Sequence, residues 1–188
     1  MHVIDLLELP EFRHRVSPFT VEEYHRLGEF DDRGRRTELI RGMVLQKMSK
    51  SPLHSALSAR LYEIFRSQLP STHCLRKEEP LTFTDSEPEP DLAIVSGSSE
   101  DFQSSHPTTA ELVVEISVSS LAEDRAKAAI YAEAGVREYW IVMAKEQKIE
   151  IYRNPAAGTF AERFLMDQET PLVCASLPIS VRSGDLFC

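Results

Sequence analysis

Little in this sequence could staple it, anchor it in a bilayer or, over one long stretch, balance its acids. Its three cysteines, Cys74, Cys174 and Cys188, are widely spaced. They form neither a disulfide framework nor a zinc pattern, so a reducing, cytoplasmic setting is expected. Cys188 is not followed by the residues that a prenylation signal requires. No apolar run is long enough to span a membrane, so no membrane partner is expected. Asp5 stands where a signal peptide would carry its apolar core. From Glu78 to Asp124 the chain has 12 Asp/Glu and no Lys or Arg. With a net charge of -9, this argues against general nucleic-acid binding. It leaves open a solvated acidic surface, a metal site, or both.

What is present suits one domain over residues 1–188, with residues 1–19 as a peripheral N-terminal extension. Hydrophobic residues at 42% and charged residues at 27% are those of a soluble globular chain. Phe12 to Arg66 reverses the acidic trend, with 11 Lys/Arg against 7 Asp/Glu. Arg33, Arg35, Arg36, Arg41, Lys47 and Lys50 there could meet a phosphate backbone, or be scattered surface charge.

Periodicity supplies a coarse map. Thr20 and Glu23 form a capping box at the start of a short helix. Two strands, 37–41 and 43–47, flank Gly42. Leu53, Leu57, Leu61, Ile64, Phe65 and Leu69 recur at helical spacing between Ser51 and Pro70. Strands follow near 73–76, 81–84 and 91–95. The polar segment 96–110, fifteen residues long, is a functional or mobile loop. Residues 111–117 read as a strand. A helix then starts at Ser119 or Ser120, with Glu123 in capping-box position, and stops at Gly135. Segments 136–144 and 148–153 form a hairpin, 159–166 a further strand, and 171–174 and 178–181 two short ones.

Three residues in this map carry chemistry. Glu115 sits inside Leu112-Val113-Val114-Glu115-Ile116. Alternation puts it with Val113 and Ser117, and both strand faces are largely apolar, so the strand is central. A carboxylate there costs several kcal/mol or more unless paired or bound to metal. Asp91 opens a second apolar strand and gains meaning beside Glu115. Lys127 shares its helix with Glu123, Ile130, Tyr131 and Ala134. Spacing allows it either the inner edge of that helix or a solvated pairing with Glu123. Glu38 reads by itself as an exposed strand acid, and His54 as a histidine partnered near a helix start. Tyr139 and Trp140 read as core. Two acids on neighbouring strands with a lysine aimed at them suit a divalent metal held against a phosphate. The first reading is therefore a metal-dependent phosphodiesterase, most simply a nuclease.

Glu38-Leu39-Ile40-Arg41-Gly42, His54, Pro90-Asp91, Val114-Glu115-Ile116, Lys127 and the run Gly135 to Val142 occur in one order. That series resembles the Uma-two family of putative restriction endonucleases, within the PD-(D/E)xK nuclease superfamily. The resemblance implies an α/β (α+β) fold, a mixed β-sheet core flanked by helices and restriction-endonuclease-like. It implies catalytic Glu38, Asp91, Glu115 and Lys127. The superfamily's usual lysine position is Ser117 here, and Lys127 on the next helix takes its place. Asp91, Glu115 and the Ile116 backbone carbonyl would hold Mg²⁺, with Mn²⁺ able to substitute. His54 and Glu123 are accessory candidates, and Arg35, Arg36 and Arg41 candidate phosphate contacts. The expected substrate is DNA, and a homodimer would let one small domain cut two strands. RNA or a junction as substrate, or a silent binding or assembly module on the same fold, are the alternatives.

Overall fold

The computed structural model describes residues 9–28, 36–166 and 170–187. The expectations for Arg33, Arg35, Asp5 and Cys188 lie outside those residues. The chain divides into two compact units, residues 1–47 with 84–86, and residues 48–83 with 87–188.

The first unit carries helix α1 (Pro10–Arg13), helix α2 (Val21–Gly28) and the strands β1 (Thr37–Ile40) and β2 (Met43–Gln46). The α2 capping box forms as expected: Thr20 N–H donates to Glu23 Oε2 at 2.9 Å, and Glu23 N–H to Thr20 Oγ1 at 3.2 Å. β1 and β2 pair antiparallel across a two-residue turn, Arg41-Gly42. Both turn residues have positive φ, 52° and 72°, the pattern of a type I′ hairpin. Arginine is unusual there, and the turn is held from outside. Arg41 N–H donates to Ser86 Oγ at 2.9 Å and Gly42 N–H to Asp85 O at 2.8 Å. Phe19 N–H donates to Gly42 O at 2.9 Å.

The second unit is built on a six-stranded sheet in the order β3-β4-β5-β6-β7-β8. The strands are β3 (His73–Lys77), β4 (Leu92–Ser96), β5 (Leu112–Ser117), β6 (Glu138–Met143), β7 (Lys148–Ala156) and β8 (Thr159–Leu165). Only β5 and β6 pair in parallel, joined by helix α4 (Leu121–Glu133); the other neighbours are antiparallel. Helix α3 (Pro52–Gln68) packs on one face of this sheet. Leu57, Leu61 and Phe65 meet Leu112, Val114, Ile116, Trp140 and Val142 there, each contributing about 1.5–3 kcal/mol by burial. Helix α4 covers the other face, where Ala128 and Tyr131 join Ala93, Val113, Tyr139 and Ile141. Tyr139 and Trp140 are fully buried on opposite faces, as alternation requires. Strands β9 (Leu172–Val173) and β10 (Ser180–Val181) form a small separate pair, and a short helix α5 (Ser183–Leu186) follows. No helix among the described residues is long and apolar enough to cross a membrane.

Segment 81–84 is not a strand. Leu81 N–H goes to Pro88 O and Thr82 N–H to Pro107 O, both at 2.9 Å. The acceptors Pro88 and Pro107 have no N–H to return, so no reciprocal ladder forms. The 96–110 segment contains a 3₁₀ turn, Ser99–Phe102.

Candidate active site

The ladder between β4 and β5 stops at Leu92–Val114. Beyond it, two side chains take over the pairing. Asp91 N–H donates to Glu115 Oε2 at 3.2 Å, and Ile116 N–H donates to Asp91 Oδ2 at 2.8 Å. Each acid thus satisfies a backbone amide of the other's strand. Asp91 precedes Ala93 and Val95 on the α4 face, and Glu115 follows Val113 on the same face. Both acids are buried, at 8% and 5% exposure.

Glu115 has further partners on α4. Lys127 Nζ donates to its Oε1 at 3.2 Å, and Tyr131 OH donates to the same oxygen at 3.0 Å. Lys127 therefore takes the inner edge of its helix, with a side chain 13% exposed. His54, in the first turn of α3, places Nε2 2.9 Å from Asp91 Oδ2. Four of the residues singled out by sequence, Asp91, Glu115, Lys127 and His54, meet in one cluster. Tyr131 joins this cluster, although its spacing marked it only as a neighbour of Lys127 on the helix. A tyrosine on an inward stripe must hydrogen-bond its hydroxyl when buried, and that signal could have found it.

Asp124, not Glu123, is the buried acid of the first turn of α4. Glu123 is exposed. Ser120 is the N-cap residue, yet its hydroxyl makes no cap bond and donates to Asp124 Oδ2 at 2.7 Å. The capping box with Glu123 is therefore replaced by a Ser–Asp side-chain pair. Burial raises the Asp124 pKa, and the Asp91 charge adds to that. Bonds from Ser120 and Ser117 and the charge of Lys127 oppose the shift without cancelling it. Ser117, at the superfamily's usual lysine position, thus supplies a neutral hydroxyl to this pocket. At its far end α4 closes in a Schellman motif, with Val136 N–H bonded to Tyr131 O and Gly135 at φ 71°.

Glu38 belongs to the first unit, on β1, and is buried at 8% exposure rather than exposed as its spacing alone suggested. Arg36 is exposed. Arg41 pairs with Asp85 at 3.2 Å.

The donor set fits a hard divalent cation. Asp91 Oδ2 is used by two donors, while Oδ1 has no hydrogen-bond partner among the described residues. The N–H and C=O of one strand residue point to the same side, so the Ile116 carbonyl faces the Asp91 side past the last rung. Among the described residues no three His, Cys, Asp or Glu side chains form a cage. Mg²⁺ is commonly held without one, by one or two carboxylates, water and substrate phosphate.

A mixed six-stranded sheet flanked by helices, with acids where β4 and β5 part, is a restriction-endonuclease-like arrangement. The Uma2 family model, described as a putative restriction endonuclease, matches residues 21–183, and the chain belongs to that family. A solved structure described as a putative nuclease belonging to DUF820, from Anabaena variabilis ATCC 29413, aligns with a TM-score of 0.77. That match is 19% identical and covers 90% of this chain and 98% of the other, a likeness of fold. Comparison with curated proteins gives no match.

Proposed function

We propose that this chain is a metal-dependent endonuclease that hydrolyses DNA phosphodiester bonds. The observation that carries the reading is the convergence of Asp91, Glu115 and Lys127 at the end of one ladder. Family membership supports the same chemistry. Asp91, Glu115 and the Ile116 carbonyl would hold Mg²⁺ or Mn²⁺, which when bound polarises the phosphate and activates water. Lys127 Nζ orients the attacking water and offsets the negative charge that grows on the phosphate oxygens. Tyr131 and the Asp91 amide keep Glu115 in place while Lys127 shifts toward the phosphate. Glu38 is assigned to this chemistry by the family pattern of residues alone, and Arg36 and Arg41 to phosphate contacts by their charge.

The test is nicking of supercoiled plasmid with Mg²⁺ or Mn²⁺, wild type against Asp91→Asn. Asparagine keeps an acceptor for the Ile116 amide while removing the charge. The variant should lose at least about a hundredfold in rate, the size of a single transition-state electrostatic contact. Equal rates would sink the assignment.

A further inference from the structure

The mechanism above leaves His54 unused, and its surroundings are unlike those of a histidine buried for packing. Nε2 lies 2.9 Å from Asp91 Oδ2. The other ring nitrogen, Nδ1, is buried with no hydrogen-bond partner among the described residues. A ring held for structure alone would have both nitrogens satisfied. This one is engaged only with the acid. Its backbone is fixed as well, since His54 N–H donates to the helix-capping Ser51 Oγ at 3.2 Å.

We propose that His54 is a positioning residue that pins Asp91 by Oδ2 and so presents Oδ1 to the metal. The carboxylate only accepts, so Nε2 is the donor. Ile116 N–H at 2.8 Å and His54 Nε2 at 2.9 Å grip the same oxygen from two elements, β5 and α3. A single amide would leave the carboxylate free to swing. Two donors fix its plane, which suits a cation that demands near-octahedral geometry. The inference rests on the nuclease reading and deepens it: α3 contributes to the site through Asp91 rather than by touching the substrate.

Calorimetry with Mn²⁺, without DNA, on wild type, His54→Gln and His54→Asn tests this, alongside plasmid nicking titrated with Mn²⁺. Glutamine carries an amide donor near the reach of Nε2, and asparagine stops short of it. Outer-shell partners are worth roughly tenfold to a hundredfold in metal affinity. His54→Asn should lose that much, and His54→Gln should stay within about threefold of wild type. Nicking by His54→Asn should need proportionately more Mn²⁺ and approach the wild-type rate at saturation. Unchanged affinity in both variants, with wild type nicking normally, overturns the role of His54 and leaves the nuclease reading standing. Equal loss of affinity in both, in step with a lowered melting temperature, also overturns it, in favour of packing. A wild type that neither binds Mn²⁺ nor nicks overturns both the nuclease reading and this one.

Discussion

Asp124 and Lys127 share a helical turn and both face inward, but they load the fold differently. Lys127 is compensated by Glu115 at 3.2 Å. Asp124 is held by hydroxyls, and burial still lifts its pKa. The folded chain therefore keeps the Asp124 proton to a higher pH than the unfolded chain does. Stability falls as pH rises from the unfolded aspartate value, about 3.9, through the raised folded value, and the penalty persists above it. Asp124→Asn keeps an acceptor for Ser120 and removes the charge. Its melting temperature should gain on wild type as pH goes from about 4 to about 7, across that window. A gap that shrinks over this range would contradict the burial argument.

Whole elements show what the sequence could and could not disclose. Helix α3 was legible because Leu57, Leu61 and Phe65 repeat on one apolar stripe, between a serine cap and a proline stop. The strand carrying Glu115 was legible because six buried residues in a row admit one acid. The start of α4 was not. Ser120 and Glu123 have capping-box spacing, but successive helix positions differ by about 100°, and the inward stripe runs through Asp124, Lys127 and Tyr131. Local spacing proposed one acid, and packing against the sheet chose its neighbour. The hand-over of strand amides to side chains was equally hidden, because it depends on where the β4–β5 ladder ends. In the β1–β2 hairpin, by contrast, a single glycine is decisive. A Cβ on Gly42 would stand 2.4 Å from Pro18 Cβ and 2.9 Å from Phe19 O, at a φ of 72°. Gly42→Ala should destabilise this unit by roughly 1–3 kcal/mol. Hydrogen exchange of the Ile40 and Leu45 amides, which belong to the hydrogen-bonded pairs of this ladder, should report it, and unaltered protection would count against the close approach.

At the scale of the molecule, charge sets the terms of substrate binding. The net charge of -9 and the basic-free stretch from Glu78 to Asp124, which holds both β4 and β5, oppose a polyanion. A divalent ion at Asp91 and Glu115 would relieve that opposition locally. Fluorescence anisotropy with a labelled duplex should show at least about tenfold tighter binding in Ca²⁺ than in EDTA, and a fall with added salt. Equal binding in EDTA would place the grip elsewhere. Asp91 and Glu115 complete the sheet where its own carbonyls run out, so the fold has a use for both acids whether or not a bond is cut. Their presence in a relative therefore speaks for the architecture before it speaks for cutting.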